Sequence, residues 1–270
     1  MVKIEDAVLV VAHPDDEAIW FSSILDRCKR VIVCFGPSAM SNEPWDSGRL
    51  ALIDSYPLPK ANFLRIRQSS AFQKFKWNRP RTDDGHLIFR RQNLGYAENS
   101  QKLMTILQSE LYGESLVFTH NPWGEYGHEE HVQVFQALNG IRERLGFNLF
   151  VSSYVSNRSL PLMLESLRRF DSTPSPLNHV VFPTDLSIAA RLKRLYTEMG
   201  CWTWLEDYEW PAIEMFHAVA PPSSPRPSNV TASLPLNFID HKFSTTLPEL
   251  IAGRLLPHRV KQLIRRSMRP

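Results

Sequence analysis

Two clusters of histidine and acidic residues in this sequence could support chemistry. The first, at residues 13–17, reads His-Pro-Asp-Asp-Glu and directly follows an apolar run. The second contains His128 and His131, which share one face of a predicted helix because they are three residues apart. Imidazole and carboxylate groups bind divalent metals, and two imidazoles with one carboxylate leave a coordination position open for catalysis.

Each cluster also has an interpretation without chemistry. Asp15 or Asp16 is a typical N-cap residue, and Glu17 suits the first turn of a helix. Many surface histidine pairs have no function. The two clusters together favour a metal site, because each follows a predicted strand and neighbouring parallel strands end at the same edge of a sheet.

Strands and helices alternate along the first 155 residues. Apolar runs predict strands over residues 7–12, 31–35, 62–66, 115–119 and 148–155. Helical spacing predicts helices over residues 18–28, 48–56, 99–110, 129–138 (ending at Gly140) and 186–199. This alternation predicts an α/β fold of the Rossmann-like, doubly wound type, with a mostly parallel sheet and helices on both faces. We therefore expect the metal site at the carboxyl ends of the strands.

The composition narrows the classes of protein further. The chain has 270 residues, 43% hydrophobic and 22% charged, which is typical of a globular protein. Its three cysteines are too few for a disulfide framework or a cysteine-based zinc site. It has no glycine-rich nucleotide loop and no nucleophile elbow. The N-terminus lacks the basic region of a signal peptide, so we expect a cytoplasmic protein.

We predict a catalytic domain over residues 1–220, then a proline-rich linker and a basic tail over 221–270. Residues 254–270 form a basic, amphipathic stretch that would either touch the inner membrane surface or dock on the protein body. Its apolar stripe is short, which favours docking. Residues 68–92 are basic and aromatic and predict a loop that covers a substrate. The alternative is that this segment binds single-stranded nucleic acid, which the small net charge of +3 does not favour.

In order and spacing, the two clusters resemble those of the LmbE-like (PIG-L) zinc-dependent N-deacetylases. These enzymes remove acetyl from N-acetylglucosaminyl groups in glycosylphosphatidylinositol, mycothiol and bacillithiol synthesis. The resemblance spans about residues 7–217. It implies that His13, Asp16 and His131 bind Zn²⁺, and open sites of this type also suit Fe²⁺. The sequence departs from the family at residues 20–23 (Trp-Phe-Ser-Ser), where small residues are usual.

The resemblance also implies roles for residues around the metal. Asp15 would be the general base, and His128 would stabilise the oxyanion or act as an acid. Tyr126 matches a mobile tyrosine of some members and could donate to the same oxygen. Arg49 matches an arginine that holds substrate, and its alternative is a plain surface residue. Trp123 would either stack on a sugar face or pack its own loop.

The implied function is zinc-dependent hydrolysis of the acetamide of an N-acetylhexosamine, in a small-molecule or lipid-linked sugar. One alternative is a related zinc amidase that cleaves a bulkier N-acyl group or a thiol conjugate. Another is a noncatalytic sugar-binding relative, but a binding module has no need of a base such as Asp15 beside its metal. Glu129 or Glu130 would orient an imidazole or serve as first-turn acids of the helix.

Overall fold

The computed structural model describes residues 2–36, 45–58, 60–69, 81–83, 86–88, 94–169, 174–220 and 235–239. Its strands are β1 (Val8–Val11), β2 (Arg30–Phe35), β3 (Ala61–Ile66), β4 (Arg81–Asp83), β5 (His86–Ile88), β6 (Leu116–Thr119), β7 (Asn148–Ser152), β8 (Tyr154–Ser156), β9 (Pro174–Pro183), β10 (Ile213–Val219) and β11 (Asn237–Ile239). Its helices are α1 (Asp16–Trp20), α2 (Ser22–Leu25), α3 (Asp46–Asp54), α4 (Leu94–Glu110), α5 (Glu129–Leu145), α6 (Leu160–Arg169) and α7 (Leu186–Glu198).

Seven strands form the central sheet in the order β3-β2-β1-β6-β7-β10-β9. The first five are parallel, whereas β10 pairs antiparallel with both β7 and β9. The order runs from β1 towards β3 on one side and towards β7 on the other. The loops that follow β1 and β6 therefore meet at the point where ligands bind in open α/β sheets. The predicted α/β fold with a mostly parallel sheet is confirmed.

Helices cover both faces of this sheet. Leu9 and Val11 of β1 belong to a buried cluster that includes residues of α1, α2, α3 and α7. Val8 and Val10 point the other way, into a cluster with α4 and α5. A strand buried on both faces has a continuous apolar run rather than an alternating one, which is why β1 could be recognised in the sequence.

Several predicted boundaries were wrong. The helix predicted over residues 18–28 is divided into α1 and α2 at Phe21, whose φ of −140° is not helical. The helix predicted to end at Gly140 continues to Leu145 and ends at Gly146, which adopts φ +79°. The predicted strand over 148–155 is divided at Ser153 into β7 and β8.

The compact unit extends past the domain boundary predicted at residue 220. It reaches Ile239, because β11 pairs in parallel with β8. The side-chain amide of Asn237 also donates to the carbonyl of Ile213 (2.9 Å). Within residues 68–92 the structure describes an antiparallel pair, β4 with β5. Residues 254–270 lie outside the described part of the chain. No helix in the described ranges is both long and apolar enough to cross a bilayer.

Helix α3 packs closely against the chain that follows α7. A Cβ added at Gly48 would lie 2.1 Å from the carbonyl oxygen of Met199. We therefore expect Gly48→Ala to lower the free energy of unfolding by about 1–3 kcal/mol in urea titration, although alanine favours helix. The matched control is Gly140→Ala in α5, where the nearest atom is 4.0 Å away. That change should raise stability by about 0.5–1 kcal/mol, and equal effects at both positions would contradict the prediction.

Candidate metal centre

The loop after β1 turns sharply, so that its two aspartates point in different directions. Asp15 has φ +100°, a left-handed conformation that costs a residue other than glycine about 1–3 kcal/mol. Glu17 stabilises the turn, because its Oε2 accepts the backbone N–H of Asp15 (3.1 Å). Its Oε1 accepts the hydroxyls of Tyr56 (2.7 Å) and Tyr196 (2.6 Å), which anchor the carboxylate to the loop after α3 and to α7.

Asp16 is held from two sides. Its Oδ2 accepts the backbone N–H of His13 (2.7 Å) and lies 3.2 Å from Nδ1 of the same residue. Its Oδ1 accepts the indole N–H of Trp20 (3.1 Å). Burial opposes ionisation of Asp16, but the imidazoles of His131 and His120 outweigh it and lower the pKa well below its usual value. Asp16 is therefore a carboxylate with a fixed orientation.

Glu125, in the loop after β6, orients His131. Its Oε2 lies 2.6 Å from Nδ1 of His131, so we assign the imidazole proton to Nδ1. The other nitrogen, Nε2, is buried, has no hydrogen-bond partner among the described residues and lies 3.2 Å from Oδ1 of Asp16. Burial opposes the charge on Glu125, but His120 and His131 lower its pKa to about 2. A carboxylate behind a ligating imidazole is the usual support of a metal-binding histidine.

Glu130 orients His13 as Glu125 orients His131. Its Oε2 lies 2.8 Å from Nε2 of His13, while its Oε1 accepts the backbone N–H (2.7 Å) and hydroxyl (2.9 Å) of Ser69. With the imidazole proton of His13 assigned to Nε2, its Nδ1 has a lone pair, which faces Asp16. Of the two acids at the start of α5, Glu130 is thus the one that orients an imidazole. Glu129 is buried, with its carboxylate 3.9 Å from Nδ1 of His128.

Asp16 lies between the other two predicted ligands. One of its oxygens contacts His13, and the other contacts His131. Each imidazole directs a lone pair at one of these oxygens from 3.2 Å. Ligand atoms around a tetrahedral ion with bonds of about 2.0–2.1 Å lie about 3.3–3.4 Å apart. Unprotonated, these two nitrogens would repel the carboxylate, so each contact needs a cation between the two atoms, either a proton or a metal ion. The contacts of Asp16 with His13 and with His131 therefore each have the length expected between two ligands of one divalent metal.

Two groups of three side chains, both sharing His131, bring their ligand atoms within 4.8 Å of one another. They are His13 with His128 and His131, and Asp16 with His120 and His131. In the second group, Nε2 of His120 already accepts the backbone N–H of Ala12 (2.9 Å). Nδ1 of His120 lies 3.1 Å from Glu125. Both nitrogens of His120 are thus occupied, and this residue supports the site rather than offering a ligand atom.

His128 is suited to donate a hydrogen bond. It is the N-cap of α5, and its Nδ1 accepts the backbone N–H of Glu130 (3.2 Å), which places the ring proton on Nε2. Burial lowers its pKa well below the usual value, and the nearby imidazoles of His13 and His131 add to the shift. The ring of the partly exposed Tyr126 lies 5.6 Å from that of His131. A neutral N–H donor and a phenol therefore lie beside the predicted ligands.

Asp15 directly precedes the predicted ligand Asp16, but its carboxylate contacts a different segment of the chain. Its Oδ2 accepts the hydroxyl (2.6 Å) and the backbone N–H (3.1 Å) of Thr203. Burial raises its pKa to about 6, against the opposing charge of Arg49 and with a further contribution from Asp16. At neutral pH the group is ionised, yet it is more basic than an exposed aspartate, as a general base requires.

The two predicted substrate-binding residues lie in different surroundings. Arg49 is buried beside Asp15, and its Nη2 donates to the hydroxyl of Thr203 (3.3 Å). Trp123 is fully buried, its indole N–H donates to the carbonyl of Tyr154 (2.7 Å), and it packs in a small apolar cluster. The indole has no exposed face for a sugar. Trp123 packs its own loop, so the sugar-stacking prediction is not retained.

The prediction from sequence missed two residues that the structure brings to this site. Glu125 precedes His131 by six residues, and an acid at that spacing was the only signal for it. Thr203 lies 188 residues from Asp15, in a stretch without helical or strand periodicity. Nothing in the sequence indicated Thr203.

Sequence comparisons identify no relatives: no family model matches the chain, and no curated protein matches it. The fold does match solved structures. One is a teicoplanin deacetylase in its zinc-inhibited form, 11% identical with a TM-score of 0.51, over 79% of this chain and 98% of that one. Another is a deacetylase of the teicoplanin biosynthesis pathway in complex with bog, 12% identical with a TM-score of 0.50 and the same coverage. At this level of identity, the likeness establishes the α/β fold.

Proposed function

We propose that this chain is a metal-dependent N-deacetylase that hydrolyses the acetamide of an N-acetylhexosamine in a glycoconjugate. One observation carries the proposal: the ionisable Asp15 lies next to a buried set of His13, Asp16 and His131 whose lone pairs face one another. The solved structures of similar fold support it, because they are deacetylases of antibiotic biosynthesis. A sugar-binding module would need neither a base nor an unpartnered imidazole nitrogen.

In this proposal His13, Asp16 and His131 hold the metal. When bound, a divalent ion polarises the amide carbonyl and lowers the pKa of the attacking water to about 7. Asp15 accepts the proton that the water loses as its oxygen bonds to the carbonyl carbon. Nε2–H of His128 and the phenol of Tyr126 donate to the oxygen that becomes negative. Asp15 then returns the proton to the nitrogen as the C–N bond breaks, which releases the amine and acetic acid, and the acid ionises to acetate in solution.

The test measures metal content and amine release on the same anaerobic preparation. We expect about one divalent ion per chain and release of amine from N-acetylglucosamine derivatives. Removal of the ion by a chelator should abolish the release, and re-addition should restore it. Zn²⁺ and Fe²⁺ are added separately and titrated past one equivalent, because zinc inhibits the deacetylase of similar fold.

His131→Ala is the matched variant for this test. It removes the imidazole that has an unpartnered Nε2, so we expect it to bind no stoichiometric metal and to release no amine. A His179→Ala control changes an exposed histidine of β9 and should behave as the wild type. Metal without amine release would redirect the proposal to a different amide, tested with longer N-acyl groups and thiol conjugates. If the wild type binds no metal even after reconstitution, the proposal that it is a metal-dependent hydrolase is refuted.

A further inference from the structure

Thr203 lies at the surface, directly over Asp15. It belongs to the chain between α7 and β10, and it is exposed, whereas Asp15 is buried. Its backbone N–H and its hydroxyl both donate to the same atom, Oδ2 of Asp15 (3.1 and 2.6 Å). Oδ1 of Asp15 accepts no hydrogen bond from the residues that the structure describes. The two carboxylate oxygens therefore have different surroundings.

Arg49 determines the direction of the hydroxyl hydrogen bond. Its Nη2 lies 3.3 Å from Oγ1 of Thr203, and a guanidinium can only donate. The hydroxyl thus accepts from Arg49 and gives its single proton to Asp15. A hydroxyl that accepts from a cation is the stronger donor, because hydrogen bonds in a chain polarise one another. The guanidinium is itself buried, so water competes little for this contact.

We propose that Thr203 is a positioning residue for Asp15. Its hydroxyl, oriented by Arg49, holds Oδ2 and leaves Oδ1 as the oxygen that takes the proton. The inference rests on the proposed function, in which Asp15 is the base. It also gives Arg49 a role through Thr203, in place of the predicted contact with substrate.

Thr203→Val tests the hydroxyl alone, because valine keeps the shape of the side chain and the backbone N–H remains on Oδ2. We expect kcat to fall about 10- to 100-fold, the effect typical of groups that orient an active side chain. KM should stay within about twofold, since no substrate contact is lost. Metal content should equal that of the wild type. Thr203→Ser restores the hydroxyl and should recover most of kcat.

The control is Thr197→Val, whose hydroxyl is exposed on α7 and donates to the carbonyl of Lys193 (2.7 Å). It should leave kcat and KM unchanged. An unchanged kcat in Thr203→Val would overturn the inference, and so would a Thr203→Ser enzyme as slow as the valine variant. A raised KM with normal kcat would make Thr203 a substrate contact instead.

A second measurement does not depend on catalysis, so failure of the proposed function can be distinguished from failure of this inference. A double-mutant cycle combines Thr203→Val with Asp15→Ala, which removes the acceptor of both hydrogen bonds, in urea unfolding. Side chains in one hydrogen-bond network are coupled, and we expect at least about a twofold non-additive effect on the unfolding equilibrium constant. Additive effects would overturn the positioning contact even if the wild type released no amine.

Discussion

Asp15→Asn is expected to bind one metal ion per chain, as the wild type does, and to lose about 10²- to 10⁴-fold in kcat. The loss follows because an amide cannot take a proton where the carboxylate did. The fold should remain, since the amide oxygen of asparagine can accept both hydrogen bonds from Thr203 while its NH₂ takes the place of Oδ1. Metal analysis and amine release on the same sample check both halves of the prediction.

Asp16→Asn is the matched control, because it makes the same change at the adjacent residue. Asp16 faces the two imidazoles, so its amide variant should lose metal as well as activity. The pair thus separates a base from a ligand with one chemical substitution. An Asp15→Asn enzyme with wild-type kcat would remove Asp15 as the base, and one without metal would make it a ligand.

Glu125→Gln should weaken metal binding by about 10- to 100-fold, because Glu125 orients His131. The carboxylate receives four donors: Nδ1–H of His131 and of His120, the backbone N–H of Asn121 and the hydroxyl of Ser152. Each oxygen accepts two of these donors, so the NH₂ of glutamine must face two of them instead of accepting their hydrogen bonds. We expect the metal-free protein to lose about 1–3 kcal/mol of stability as well.

Competition with a chromophoric chelator measures the metal affinity, and urea unfolding measures the stability. Glu5→Gln is the control, since Glu5 is exposed and pairs with the exposed guanidinium of Arg27 (3.4 Å). Surface changes of this kind alter stability by less than about 0.5 kcal/mol. Wild-type metal affinity in Glu125→Gln would show that the orientation of His131 does not depend on this carboxylate.

The three central parallel strands could be predicted because each is buried on both faces. Strands β1, β2 and β6 are continuous apolar runs, and this property also located the two clusters at their carboxyl ends. The antiparallel edge gave no such signal. β9 begins with Pro174 and also contains Pro176, which is compatible with its edge position but untypical of a strand. In β10, the buried polar residues Glu214 and His217 interrupt the apolar pattern.

The candidate ligands and one supporting acid, Glu130, could be proposed from local motifs, but Thr203 could not. The spacing of His128 and His131 is a property of one helix. The contact of Thr203 with Asp15, in contrast, exists only after α7 and β10 have packed against the rest of the chain. Arg49 was predicted for its match to a family position, whereas its neighbour in the structure is Thr203. Partners that come from distant segments leave no pattern that a sequence alone can show.

The position of β1 beside β6 would make the proposed metal centre a crosslink between two halves of the chain. His13 and Glu130, which touch at this centre, are 117 residues apart in sequence. An ion held by the two loops would therefore stabilise the folded chain as a whole rather than one loop. At a free concentration 1,000 times its Kd, such an ion contributes about 4.1 kcal/mol. The protein's resistance to unfolding and to proteolysis would then report the metal supply of its surroundings.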